Sequence, residues 1–189
     1  KYVCKVWPQP RTRLQNLDDL ELATHLGIEK NVTYETSIVS RNFMPYLMGA
    51  CDIYAAPSRL EGFGMPQVEA GACGKPVIGI KAMGMLDTLV HGETAFLANV
   101  AQKIVVNEVI LGDESGFEGE HKVVFKNPRI VDYRASVHDI ANYLMDLMTD
   151  AALREKMGKA ARERVVKNYD YRVVAKRFVQ IMNDKLGIK

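Results

Sequence analysis

The sequence predicts an α/β fold in which a parallel sheet is covered by helices on both faces. Short apolar runs such as Val77-Ile78-Gly79-Ile80 alternate with segments of helical spacing, and the intervals between runs suit crossover helices rather than tight turns. Glycine and proline fall at the junctions, as at Gly27, Pro66 and Gly74. The 189 residues, 48% of them apolar, suffice for one core of ordinary domain size.

Tyr2 to Trp7 is expected as the first strand. Asn16 is placed to cap a helix whose first turn holds Asp18 and Asp19, acids that favour the positive end of the helix dipole, and Gly27 to end it. Val32 to Tyr34 reads as a second strand. Arg41 to Ala50 has helical spacing through Phe43, Tyr46, Leu47 and Ala50; proline is tolerated only in a first turn, so the regular helix should begin near Pro45. Ile53 to Ala56 and Pro76 to Ile80 are strands on either side of a loop and a short helix, whose first position suits Pro66.

Residues 101–134 break this rhythm. Ile104 to Ile110 is apolar and β-branched, Leu111 to Glu120 is rich in Gly, Asp and Glu, and His121 to Phe125 returns as a strand, so an inserted β-hairpin is expected. It reads first as an edge ornament, with contact to an acceptor, a partner domain or another subunit as the alternative. Ser136 then starts a helix with Asp139 as an acidic variant of the capping box. Val137, Ile140, Ala141, Leu144, Leu147 and Met148 form its apolar stripe and are assigned to the core. Residues 151–189 hold two closing helices, Ala151 to Asn168 and Tyr171 to Leu186.

The segment from Pro57 to Glu69, Pro-Ser-Arg-Leu-Glu-Gly-Phe-Gly-Met-Pro-Gln-Val-Glu, carries the chemistry. Gly62 and Gly64 allow the backbone to bend and approach a ligand closely, and the helix start at Pro66 offers unpaired amides to a phosphate or another strong acceptor. Glu61 in the loop and Glu69 in the helix can accept hydrogen bonds from sugar hydroxyls. Together these features suit a nucleotide-sugar. The spacing of the two acids proves little; the strand before it and the Gly74-Lys75-Pro76-Val77 after it make it specific.

In this arrangement the sequence resembles the C-terminal, donor-binding half of the group 1 (family 4) retaining glycosyltransferases, whose GT-B fold pairs two Rossmann-like domains. That family's pattern runs as a proline-serine, Glu-Gly-Phe-Gly, a second glutamate and Gly-x-Pro-Val. The resemblance implies that Glu61 is catalytic, placed near the transferred sugar; that Gly62, Phe63, Gly64 and Met65 bind the donor; and that Glu69 holds the ribose. Gly84-Met85-Leu86-Asp87 looks like the family's glycine-rich turn, and Val90 to Leu97 like its closing hairpin. Asp87 stands where a glutamate is commoner, and Ala95 where a glycine is.

A nucleotide-diphosphate-sugar would be the donor substrate, with no further cofactor and no metal. The expected partners are that donor and the chain's own N-terminal acceptor domain, absent from these 189 residues; the arginine and lysine that relatives place near the donor phosphates are expected upstream of Lys1. Base recognition would rest on backbone contacts near Thr36 to Ser40. Glu61 is expected to position and stabilise rather than to attack. The final helix, through Tyr169, Tyr171, Val174, Phe178 and Ile181, would cross to the other domain. Three alternatives stay open: a nucleotide-sugar epimerase of the same fold, a phosphorylase, and a noncatalytic nucleotide-binding module.

Composition narrows the remaining classes. Cys4, Cys51 and Cys73 are widely spaced in apolar surroundings, which reads as buried free thiols in a reducing compartment, the cytoplasm. There is no signal peptide and no apolar run near the length of a membrane span. The four histidines are scattered; His91 is assigned a structural or solvent-facing role rather than proton transfer, and His25, His121 and His138 none.

The net charge is +2, but from Ala151 onward eleven basic residues face four acidic ones, so this region carries +7 and the rest −5. Arg154, Lys156, Lys159, Arg162, Arg164 and Lys167 read as a solvated helix face. Peripheral membrane contact is the minor alternative, and nucleic acid is excluded for want of an aromatic platform or module. Arg59 and Lys75 are assigned surface or helix-end roles rather than phosphate contact.

Overall fold

The computed structural model describes residues 1–5, 19–111 and 121–187, which fall into two compact units, Lys1–Met44 and Pro45–Lys189. Val6, Trp7, Asn16 and Asp18 lie outside the described residues.

In the first unit, β1 (Tyr2–Lys5) pairs in parallel with β2 (Val32–Glu35), in the register Tyr2 to Val32. Between them a helix, α1, runs over residues 19–25, and Gly27 follows in the left-handed region at φ 68°. Its amide donates to the Thr24 carbonyl at 3.0 Å, the helix stop that its sequence position predicts.

The second unit is built on a parallel three-stranded sheet, ordered β3 (Tyr54–Ala55), β4 (Val77–Ile80), β5 (Ala95–Ala98). Three short helices accompany it: α2 (Met44–Ala50), α3 (Met65–Ala72) and α4 (Met85–Thr88). The expected parallel strands thus appear as a pair and a triplet rather than one ladder. β4 is buried along its whole length, as a strand covered on both faces must be. Its Ile78 lies in a cluster with Leu147 and Met157, while the position of Gly79 faces Met85, Leu89 and Leu97. Alternation along the strand therefore sends one side chain toward Leu147 and Met157 and the next toward α4.

The hairpin is longer than the sequence suggests. β6 (Val100–Leu111) and β7 (His121–Ala135) are antiparallel from Val100 opposite Ala135 to Leu111 opposite His121. The register slips at three points, and at one of them Pro128, which has no N–H to give, interrupts the ladder. Most of both arms is exposed; Asp132 is the buried residue of β7.

Three helices close the chain: α5 (Val137–Thr149), α6 (Ala151–Tyr169) and α7 (Tyr171–Leu186). Ser136 caps α5 as expected, its Oγ accepting from the Asp139 amide at 3.2 Å. The reciprocal half of a capping box is missing: the Asp139 carboxylate accepts from Asn99, at 2.8 Å from its amide and 2.9 Å from its side chain. The α5 stripe is only partly core, because Leu147 is buried whereas Val137 and Met148, at its two ends, are exposed. Most apolar residues of α7 are exposed, Tyr171 and Phe178 among them, and Val173 is half-buried.

The solvated face assigned to α6 requires a correction. Its lysines 156, 159 and 167 are exposed, but its three arginines are helix caps. Arg154 Nη1 donates to the carbonyls of Leu147 (2.6 Å) and Met148 (3.2 Å) at the end of α5, and Arg162 to that of Ala72 at the end of α3. Arg164 donates to Thr88 and Asp87 at the end of α4. Helix ends present unpaired carbonyls and the negative pole of the dipole, and a guanidinium satisfies both. The cysteines need a smaller correction: all three are free but half-buried. Burial pushes the Cys51 thiol up, against the opposing charge of Lys75.

Candidate functional site

β3 ends at Ala55, and the chain leaves the sheet through Pro57 and Ser58 into the Glu61 loop. Gln67, fully buried on α3, fastens the start of that loop: its Nε2 donates to the Ala56 carbonyl and to Ser58 Oγ, both at 3.2 Å. Its Oε1 accepts no hydrogen bond among the described residues. Sequence reasoning passed over Gln67, although a polar residue on the inward face of a short helix is the signal that marks it.

α3 starts one residue earlier than its proline suggested. Gly64 is the N-cap in the left-handed region, at φ 85°, Met65 is the first helical residue and Pro66 the second. The Gly64 side supplies no capping oxygen, and Glu61 takes over: its Oε1 accepts from the Gly64 amide at 3.1 Å and the Phe63 amide at 3.4 Å. The Glu61 carboxylate thus sits on the positive end of α3. Gly62, Phe63 and Met65 are exposed beside it. Phe63 is held edge-on against Tyr169, ring centroids 5.6 Å apart. Glu69 is exposed on α3, roughly 6 Å further along the axis than Met65.

A second loop supports the first. Glu61 donates its amide to Met83 Sδ at 3.3 Å, and its carbonyl accepts from the Gly84 amide at 3.4 Å. At Gly84 the two backbones approach so closely that a Cβ would collide with the Gly62 carbonyl. Met83 is the non-glycine residue with positive φ, 55°, among the described residues. Gly84 therefore lies just before a helical turn, α4, where the sequence suggested a turn alone.

Tyr54, which sequence reasoning also missed, is the first residue of β3. Burial raises its phenol pKa first, and the negative charges of Glu69, Cys51 and Glu61 add to the effect, so the phenol lies in the field of both glutamates. The strand before the motif is legible in the sequence, but nothing local gives its tyrosine a part in the site.

Arg59 is a surface residue, as expected, and its partner lies on the hairpin rather than at a helix end. Its guanidinium, exposed on one side, grips the buried Asp132 of β7, with Nε 2.9 Å from both carboxylate oxygens and Nη2 also on Oδ2. The Arg59 guanidinium holds the Asp132 carboxyl below the usual carboxylate range against the opposing push of burial, and Arg134 at 3.0 Å assists. The Tyr133 amide donates to the Arg59 carbonyl at 2.9 Å. The hairpin is therefore tied by side chain and backbone to the loop that carries Glu61.

His91 is structural: its Nδ1 accepts from the Leu97 amide at 3.0 Å, and its ring lies edge-on to Tyr143. Lys75 follows the end of α3, its amide donating to the Ala70 carbonyl at 3.1 Å. Thr36 to Ser40 belong to the first unit, where the Ser37 amide donates to the Glu35 carboxylate at 2.8 Å. Among the described residues no group of three or more His, Cys, Asp or Glu could hold a metal. No described helix is long and apolar enough to cross a membrane.

Comparison with known proteins places this arrangement. The chain is 25% identical over 172 residues to N-acetyl-alpha-D-glucosaminyl L-malate synthase of Bacillus anthracis, covering 89% of this chain and 36% of that protein. Sucrose-phosphate synthase from Thermosynechococcus elongatus has a similar structure, with a TM-score of 0.70 at 19% identity over 99% of this chain and 39% of the other. HepE of Anabaena, solved in complex with UDP-glucose, matches with a TM-score of 0.65 at 20% identity over 96% of this chain and 40% of the other. At such identities the structural likeness is one of fold, and the chain spans well under half the length of these proteins. The family model "Glycosyl transferases group 1" matches residues 16–112, more than half of the sequence, so the chain belongs to the group 1 glycosyl transferases.

Proposed function

We propose that this chain is the donor-binding domain of a retaining glycosyltransferase, and that joined to an acceptor domain it transfers a sugar from a nucleoside diphosphate sugar. One observation carries the reading: the Glu61 carboxylate lies on the Phe63 and Gly64 amides at the start of α3, with Glu69 on the same helix. That geometry gives one donor molecule two grips. The α3 start and its loop take the sugar and phosphate end, and Glu69 accepts from the ribose hydroxyls. HepE, of the same fold, is the neighbour whose structure holds UDP-glucose.

Glu61 positions the sugar and stabilises positive charge developing at its reacting carbon. A sugar hydroxyl can donate to the carboxylate oxygen that the two amides already fix, so the acid is oriented before the donor arrives. Gly62 and Met65 complete the donor contacts, and Phe63 and Gly64 act on the donor through the Glu61 carboxylate that their amides hold. The proposal needs no cofactor and no metal, and it places the protein in the cytoplasm with peripheral membrane contact as an option.

Calorimetry with UDP, GDP, ADP and their glucose or mannose conjugates tests this. One nucleotide family should bind, and Glu69→Ala should weaken both nucleotide and nucleotide-sugar by roughly tenfold, the loss of a charge-assisted hydrogen-bond pair. Glu61→Gln should weaken the nucleotide-sugar alone. Binding unchanged by Glu69→Ala would overturn the assignment.

A further inference from the structure

Beside the Glu61 loop lies a cleft of about 730 Å³, between the end of β4 with its loop into α4 and the base of the hairpin. Ligands of parallel α/β sheets bind outside the carboxyl ends of the strands, which is where this cleft opens. Two of its ten lining residues are lysines, Lys81 and Lys103, and none is acidic. Neither lysine makes an ion pair among the described residues. Lys81 follows the last residue of β4, where its amide donates to the Ala98 carbonyl at 2.8 Å. Lys103 is the cross-strand partner of Tyr133, so the two share one face of the hairpin, and both line the cleft.

Both walls are fixed to the Glu61 loop. Met83, on one wall, accepts the Glu61 amide through its sulfur and keeps a left-handed backbone to do so. A strained residue of this kind persists only where its surroundings over-determine it. On the other wall, the Tyr133 amide donates to the Arg59 carbonyl, and the neighbouring Asp132 is gripped by the Arg59 side chain. The hairpin base is therefore a rigid side of a polar cleft. A group held in the cleft stands next to the Glu61 loop, but no residue of that loop or of α3 lines the cleft.

We propose that this cleft is a subsite for a phosphate group carried by the acceptor, with Lys81 and Lys103 as its ligands and Gln102 as a further donor. This rests on the donor-site reading above. Two ammonium groups without a carboxylate suit a multiply charged anion, and lysine binds phosphate as a point charge. Holding the phosphate there brings the acceptor alongside the donor sugar.

The test is titration of the chain with inorganic pyrophosphate at low salt, once alone and once over saturating UDP. Pyrophosphate should bind in both, roughly tenfold more weakly to the Lys81→Ala/Lys103→Ala double variant, and equally to the control Lys159→Ala. UDP affinity should be the same in all three. Displacement of pyrophosphate by UDP, equal binding by the double variant, or no binding would overturn the proposal. Failure of UDP itself to bind overturns the donor reading instead, while the lysine dependence measured without UDP still decides the cleft. Glucose 1-phosphate in solution and phosphatidylcholine vesicles carrying a polyprenyl phosphate then separate the two acceptor sources. A lysine-dependent response to either supports the subsite and names its source, and a response to neither overturns it.

Discussion

Arg164 closes the C-terminal end of α4, donating from Nη2 to the Asp87 carbonyl and from Nε to that of Thr88, both at 2.9 Å. The Tyr169 hydroxyl donates to the same Asp87 carbonyl at 2.9 Å, while its ring meets Phe63. One turn of α6 thus holds α4, whose preceding loop supports Glu61. Arg164→Met should lower stability by about 2 kcal/mol, the loss of two charge-assisted hydrogen bonds to a helix end. Arg164→Lys should recover less than half, because an ammonium cannot reproduce the fork. Urea unfolding of the three proteins checks both values.

Gly84→Ala should damage the site more than the fold. The added Cβ meets the Gly62 carbonyl, so the Glu61 loop has to move. A displaced loop should lower nucleotide-sugar affinity on the order of tenfold or more. Gly49→Ala is the control: nothing lies within 4 Å of its Cβ position, so binding should not change. Calorimetry on both variants gives the comparison.

The Arg59–Asp132 pair predicts an asymmetric response. Arg59→Ala leaves a buried carboxylate with Arg134 alone and should cost about 1–3 kcal/mol. Asp132→Ala leaves an arginine that is already 60% exposed and can turn to water, so its cost should be smaller. In both, the Tyr133 amide should exchange its hydrogen faster, because it donates to the Arg59 carbonyl. Equal protection in wild type and variants would show that the hairpin does not depend on the pair.

Acid should loosen the start of α7. Asp170 caps that helix, accepting from the Arg172 amide at 2.9 Å, and the Arg172 side chain draws its pKa down to about 2. The folded value lies below the ordinary carboxylate value of about 3.9. The stabilisation is therefore complete above that value and is lost as pH falls from there through about 2. Asp170→Asn keeps an acceptor but cannot titrate, so its helix content, followed by circular dichroism, should lack this acid component.

How far the site was legible depends on how local its chemistry is. Glu61, Gly64 and the start of α3 lie within a few residues of one another, and the spacing of two glycines and a proline was enough to place a loop acid just before a helix start, though it left the first amides to a ligand rather than to Glu61. It was not enough to set the N-cap, since Pro66 suits the second helical position as well as the first. Tyr54, Gln67 and Met83 were missed because each contributes through a partner that is remote in sequence or faces inward. Asp132 is the plainest case: an acid in an exposed, irregular strand, 73 positions from the arginine that gives it meaning.

The sequence by itself determined the alternation of strands and helices, the two closing helices almost to the residue, the hairpin and the family motif from Pro57 to Glu69. All of these follow from short-range periodicity, capping and turn chemistry. Only the tertiary structure decided which members of one basic helix face are structural. Lys156, Lys159 and Lys167 point to solvent, while Arg154, Arg162 and Arg164 end three other helices. The sequence shows the charges on α6, but the carbonyls that need them belong to α3, α4 and α5, and packing alone brings those ends within reach.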